Sequence, residues 1–363
     1  MYLLKVTASE HFDSPNSFSF SRLNSYMTQE IDVSHHNRAG QNMPVINWHF
    51  AKQLQERRKS DMALKSCKLS ALDVSEHPEA PKRIYSLRKP PSDNIVFLTA
   101  NLERGLSDII LFQPILRAFS EKLKAEGLPG KIHISGSNEF RHLFYKQDYL
   151  DEFLPEAPTL ETLSKYDYFM EAGIKLERLK TIACVSDWSE IDLRAKINLP
   201  PGVTERWIER FKGNKPRVFL HWHAFDSKRI LPIEWFKTIV EQFPNADYYC
   251  SIYGEKNDGE IYPGGPVNLW PHEENILDLF GALSCMDAVV TTNTGIAHAA
   301  GAIDRPTITI FTGVLYGWGD FWPNHHKELY PSLQPIGLSE NLSLPPEDIV
   351  NRVVAELKRL TAG

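Results

Sequence analysis

With 363 residues, 42% of them hydrophobic and 24% charged, the chain has an ordinary globular composition and the length for two α/β domains. A net charge of −6 excludes a general nucleic-acid binder, leaving only a local basic patch open. The four cysteines, Cys67, Cys184, Cys250 and Cys285, are far apart with no CxxC pair, which argues against a disulfide frame or a zinc knuckle and for thiols of a reducing compartment. No run reaches transmembrane length, and Met1 to Val6 lacks the basic and apolar regions of a signal peptide. A cytoplasmic protein is therefore expected, with peripheral contact at the inner face of a membrane left open.

Residues 1–90 read as an N-terminal extension of unclear fold. Tyr2 to Val6 suits a strand, and residues 10–42 are polar with little periodicity. Ile46, Phe50, Leu54 and Met62 recur roughly at helical spacing, which predicts a helix over Val45 to Leu64. His35 and His36 point different ways along a chain, and no carboxylate or cysteine group accompanies them, so a metal role is disfavoured. Arg88 to Ser92 reads as a linker.

From there the pattern alternates strand and helix. Asn94 to Thr99 is a continuous apolar run, as in a strand buried on both faces. A loop through Gly105 and Asp108 leads to a helix over Ile109 to Leu123. Lys131 to Ser135 and Tyr166 to Met170 are further strands, with a helix over Asn138 to Tyr145. After the break at Pro200, Pro201 and Gly202, a second rhythm starts. Its strands are Arg217 to Trp222 and Asp247 to Tyr253, and its helices are Pro232 to Phe243 and Asn275 to Ser284. Ala288 to Thr291 is a strand, Asn293 to Gly295 a turn, Ile296 to Ala302 a helix and Thr307 to Phe311 a strand. Pro345 to Leu360 is an amphipathic helix with Ile349, Val353, Leu357 and Leu360 on one face. This rhythm predicts an α/β fold of two Rossmann-like parallel-sheet domains, over 91–205 and 206–335, with a terminal helix in 336–363. The carboxyl ends of their strands would line a cleft between them.

The turn at Asn293 joins a buried strand to a helix of small residues. Free N–H groups at a helix N-terminus suit a phosphate. Thr294 carries a hydroxyl, Gly295 admits a ligand close to the backbone, and His298 sits in the first turn. Read locally, the stretch fits an ordinary βαβ joint with a capping threonine equally well. Asp108, at the carboxyl end of the first strand of its domain, is placed for catalysis, although Ser107 and Asp108 also form an ordinary N-cap signal. Lys228 and Arg229 fall in a strand-to-helix loop, as solvated charge or as cations aimed at a diphosphate. His221 and His223 share one face of an extended chain, a spacing that zinc sites also use, but no third ligand is evident. Glu255, with Glu260 as a second choice, is placed for ribose hydroxyls, and the Trp270 to Glu274 stretch with His272 for a base. The aromatic loop from Gly313 to Trp322 suits stacking on a sugar or base, or packing.

Three stretches together carry a resemblance to glycosyltransferase family 9, the heptosyltransferase-like enzymes of the GT-B fold. Gly105 through Asp108 to Ala118 resembles the family's glycine–aspartate loop and following helix. Val218 to His221 with Lys228 to Pro232 is similar to its strand and lysine-containing donor loop. Asn293, Thr294, Gly295 and His298, followed by Asp304 to Phe311, resemble its donor signature. Two departures stand out: Asn293 replaces the family's aspartate, and Ser107 replaces the glycine before the catalytic aspartate.

The resemblance implies an inverting, metal-independent glycosyltransferase. A sugar, with a heptose as one option, would pass from a nucleotide-diphosphate sugar to an acceptor hydroxyl on a glycan, lipopolysaccharide, lipid-linked or protein acceptor. Asp108 would be the general base, and Lys228, Arg229, Asn293, Thr294, Gly295 and His298 would bind the donor diphosphate. The nucleotide sugar is a co-substrate; no cofactor, metal or nucleic-acid partner is expected. Two alternatives stay open: a sugar-nucleotide-binding protein that has lost catalysis, and a sugar-nucleotide epimerase on the same fold.

Overall fold

The structure, a computed structural model, describes residues 2–8, 17–21, 28–32, 45–46, 67–73, 82–83, 95–98, 106–136, 138–154, 160–171, 183, 185, 188–211, 213–224, 227–252, 259–272, 275–311, 333–336 and 345–362. The N-terminal part contains strands β1 (Tyr2–Ala8), β2 (Ser17–Ser21), β3 (Thr28–Asp32), β4 (Val45–Ile46) and β5 (Cys67–Asp73). β1 lies between β4 and β5, antiparallel to both, and β2 pairs antiparallel with β3. The helix expected to start at Val45 is therefore corrected: Val45 and Ile46 extend to pair with Leu3 and Tyr2. The rest of that expectation, and His35 and His36, lie outside the described residues.

The first domain comprises β6 (Lys82–Arg83), β7 (Ile95–Leu98), α1 (Leu106–Ala125), β8 (Ile132–Ser135), a 3-10 segment (Asn138–Phe144), β9 (Glu152–Leu154), α2 (Leu160–Leu163) and β10 (Tyr168–Glu171). Its parallel sheet has the order β6-β10-β7-β8-β9, so two residues of the segment read as the extension, Lys82 and Arg83, form its edge. The second domain comprises α3 (Val203–Arg210), β11 (Arg217–His221), α4 (Ile233–Gln242), β12 (Asp247–Cys250), β13 (Val267–Asn268), α5 (Ile276–Ser284), β14 (Ala288–Thr292), α6 (Gly295–Ala302), β15 (Thr307–Ile310), β16 (Leu333–Ile336) and α7 (Pro346–Leu360). Its sheet is parallel throughout, in the order β13-β12-β11-β14-β15-β16. That is the doubly wound order, and it reverses direction between β11 and β14. Two α/β parallel-sheet domains are as the sequence rhythm predicts.

Alternation along β11 and β14 divides the second core. Val218, Leu220, Ala288 and Val290 face one cluster, with Phe236 and Ile239 of α4 and Val353 and Leu357 of α7. Phe219 and Val289 face the other, with Phe280 of α5 and Ala297 of α6. This second cluster does not stop at the domain edge. It continues through Ile109, Phe112 and Phe119 of α1 to Phe97 of β7 and Ile134 of β8. Helix α1 is buried around most of its circumference because one sheet covers it on one side and α6 on the other. Pro114, inside α1, removes one backbone donor. The connecting segment is held at both ends: Ile197 N–H donates to the Ala302 carbonyl, and Asn198 Nδ2 donates to the carbonyls of Tyr145 and Lys146. Among the described residues, no helix is long and apolar enough to cross a membrane.

Candidate functional site

The direction reversal between β11 and β14 places two strand ends side by side, leaving a crevice at their carboxyl edge. β11 ends in His221 and β14 in Thr291 and Thr292, with His221 in register with Thr291. The Thr291 hydroxyl donates to the Thr292 carbonyl at 2.9 Å, and the Thr294 hydroxyl donates to the same carbonyl at 3.3 Å. His221 Nδ1 lies 3.2 Å from the Thr291 hydroxyl and 3.5 Å from that of Thr294. With both hydroxyl protons committed to a carbonyl, Nδ1 is the ring nitrogen that carries the hydrogen. Burial, and then the neighbouring His223, lowers the His221 pKa to about 3. His221 is thus a neutral brace for the signature turn. The zinc spacing with His223 does not produce a site: the strand ends at His221, His223 is exposed, and the described residues contain no group of three metal-ligating side chains.

The loop after β11 is stitched to the same turn. In the 3-10 turn Ser227–Arg229, which also holds Lys228, an Arg229 Nη donates to the Asn293 carbonyl at 3.0 Å. The Thr292 hydroxyl donates back to the Arg229 carbonyl at 2.8 Å. Arg229 therefore braces the turn as well as bringing a guanidinium to it. His298 lies one turn into α6 and is 4% exposed. Burial, and then the charge of Arg229, lowers its pKa to about 4, so it is neutral at pH 7. Thr294 takes the N-cap position of α6 in extended conformation, yet its side chain makes no capping bond to the helix. The hydroxyl is turned toward Thr292 and His221 instead, and the first N–H groups of α6 are not capped by it.

Asp108 approaches from the other domain. α1 begins at Leu106, so Asp108 lies within its first turn and not at the cap position. A Cβ at Gly295 would lie 2.7 Å from Leu106 Cβ and 3.2 Å from Ser107 N. The N-terminal turns of α1 and α6 thus meet, and Asp108 follows directly on the residues at the junction. The structure brings Arg229, Asn293, Thr294, Gly295 and His298 together at one turn, with Lys228 beside Arg229 in the chain and Asp108 one residue beyond the Ser107 N that approaches Gly295.

The expected ribose and base contacts separate. Glu255 and the aromatic loop from Gly313 to Trp322 lie outside the described residues. The Glu260 carboxylate accepts the Gly264 N–H at 2.8 Å, which assigns it to its own turn. His272, half-buried after β13, sits at the same carboxyl edge two strands from β11. Three participants were not singled out by sequence: Thr291 and Thr292, which read as plain strand, and Leu106, whose apolar side chain carries no chemical signal.

Residues 190–314 match the family model of glycosyltransferase family 9 (heptosyltransferase). The match covers the donor-loop and donor-signature stretches, while the stretch around Asp108 precedes it. A search of curated proteins gave no match. Among solved structures, the chain is similar to the ADP-heptose LPS heptosyltransferase II of E. coli, at 14% identity and a TM-score of 0.53 over 74% of this chain and 98% of that one. It is similar to a family 9 glycosyl transferase from Veillonella parvula, at 10% identity and a TM-score of 0.53 over 77% and 99%. At these identities the structural likeness is one of fold.

Proposed function

We propose that this chain, a glycosyltransferase of the family 9 heptosyltransferase type, moves a sugar with inversion and without a metal from a nucleotide-diphosphate donor to an acceptor hydroxyl. The observation that carries the reading is the junction of the α1 and α6 N-termini. It brings the first turn of α1, the turn that carries Asp108, against the N-terminus of α6, whose N–H groups suit an anion.

In this reaction the Asp108 carboxylate takes the proton of the acceptor hydroxyl as its oxygen attacks the anomeric carbon. The bond from that carbon to the diphosphate oxygen breaks, and its electron pair leaves with the diphosphate. Charge gathering on the leaving group meets Arg229, Lys228 and the first N–H groups of α6. His298, buried and neutral at pH 7, donates a ring N–H to the same oxygens, and the anion raises its pKa. These groups do the work that a divalent cation does elsewhere. At the carboxyl edge of the sheet, His272 is the candidate for the nucleotide base, and Glu255 remains the ribose candidate.

ADP-heptose is the first donor to test, since the E. coli relative's name carries it. A lipopolysaccharide glycan is the corresponding acceptor to test, met at the inner face of a membrane. The test is transfer from ADP-heptose to a truncated lipopolysaccharide acceptor, with and without EDTA, reading the product anomer by NMR. The account expects turnover insensitive to EDTA and an inverted anomeric centre. Loss of turnover in EDTA that added divalent metal restores contradicts metal independence, and a retained anomer contradicts the single displacement. Donor epimerised without any acceptor would favour the epimerase.

A further inference from the structure

The local sequence offers one reason for glycine at 295, the close approach of a ligand. The structure gives a different one. Gly295 does not have the left-handed backbone that favours glycine; among the described residues the glycines with positive φ are Gly127, Gly202, Gly213 and Gly264. The direction a side chain would take is filled by the other domain, with Leu106 Cβ at 2.7 Å, Leu106 Cγ at 3.2 Å and Ser107 N at 3.2 Å from a Cβ at this position. Carbon atoms pack at about 3.5–4.0 Å, so a methyl group here would part the helices by about 1 Å. Neither neighbour yields easily. Leu106 is 9% exposed within the cluster that joins the domains, and Ser107 presents backbone. Apart from Ile296 and His298, the rest of α6 is also small, with Ala297, Ala299, Ala300, Gly301 and Ala302 all buried, which permits a close crossing of α1.

We propose that Gly295 is a positioning residue: its missing side chain lets the first turn of α1 seat against α6 and fixes the distance from Asp108 to the donor diphosphate. This rests on the proposed transfer reaction. Asp108 is one residue beyond Ser107, so displacement of Ser107 reaches the base directly, whereas the diphosphate groups on Arg229 and His298 stay with their own domain. The donor half of the site is therefore kept while its register with the base is lost. A misplacement near 1 Å costs on the order of 100-fold in rate.

The test measures kcat for sugar transfer and Kd for ADP in four proteins: wild type, Gly295→Ala, Leu106→Gly and the double variant. Leu106→Gly removes the two carbon atoms that a residue-295 methyl would strike. The expected result is that Gly295→Ala loses about 10- to 100-fold in kcat with ADP affinity unchanged, and that adding Gly295→Ala to Leu106→Gly costs much less rate, since only the Ser107 N contact at 3.2 Å is left. Leu106→Ile adds a branch at the opposing Cβ without touching the donor signature, and it lowers kcat in the same direction should Gly295→Ala not fold. Weakened ADP binding with kcat retained overturns the proposal in favour of ligand approach. A rate loss that persists undiminished on the Leu106→Gly background overturns it as well. Failure of the wild type to transfer overturns the proposed reaction and this inference with it, whereas normal wild-type transfer with an indifferent Gly295→Ala overturns the inference alone.

Discussion

His298 shows how much structure adds to the meaning of a single residue. In sequence it is a diphosphate-binding candidate in the first turn of a helix. In the fold it is buried beside Arg229 and neutral, and its pKa falls from 6.5 to about 4. The folded chain therefore refuses a proton that the unfolded chain accepts. Above pH 6.5 both states are neutral at this residue and it contributes no pH dependence. As pH falls from 6.5 toward 4 the unfolded state gains the proton, and stability drops by an amount on the order of 3 kcal/mol. His298→Gln, neutral throughout, should lose less stability than wild type between pH 7 and pH 4.5 in urea unfolding. An equal loss would show that the histidine does not titrate as its burial demands. The same residue scale explains what could be read in advance. Asn293, Thr294 and His298 were legible as candidates because turn chemistry and a helix start coincide within one short stretch, and Arg229 because its charge falls in a strand-to-helix loop. The reason for Gly295 was not, because the atoms that exclude its side chain belong to Leu106, far earlier in the chain.

Elements were legible where one face or both faces are fully covered. β14, buried at every position, and α5, with Ile276, Leu279, Phe280 and Leu283 all buried, read directly from their apolar patterns; the Asn275 cap, accepting the Leu277 N–H, is an addition of the structure. Short edge strands did not: β9 (Glu152–Leu154) and β16 (Leu333–Ile336) carry too few residues for a period, and β16 includes Pro335. Val45 and Ile46 misled because the spacing of Ile46, Phe50 and Leu54 outweighed a pairing partner, Tyr2 and Leu3, that sequence does not bring near. Helix α3 was passed over after Pro200, Pro201 and Gly202, since only Trp207 of its eight residues is buried. Its packing makes a prediction of its own. A Cβ at Gly281 of α5 would lie 2.6 Å from Val203 Cγ1 and 2.9 Å from the Val203 carbonyl oxygen. Gly281→Ala should destabilise the protein by about 1–3 kcal/mol through overpacking, with ADP affinity unchanged. A thermal midpoint equal to wild type would refute the tight seat of α3 on α5.

At the scale of the whole molecule, two domains share one core. The cluster from Phe97 through Phe112 and Ile296 to Phe280 crosses the boundary without a break, and the connecting segment is bonded on both sides. The domains should therefore unfold together, giving one calorimetric transition, and Phe112→Ala should lower it by about 3–5 kcal/mol. Two resolved transitions would show that the shared cluster does not couple them. That joining also defines the catalytic proposal, in which one domain holds the proposed base, Asp108, and the other the proposed donor groups. The most direct measurement compares wild type with Asp108→Asn, using ADP titration for the donor half and transfer from ADP-heptose for the complete site. The account predicts ADP affinity within error of wild type and a transfer rate lower by about 10²–10⁴-fold, the usual worth of a general base. Transfer at near wild-type rate by Asp108→Asn would contradict it.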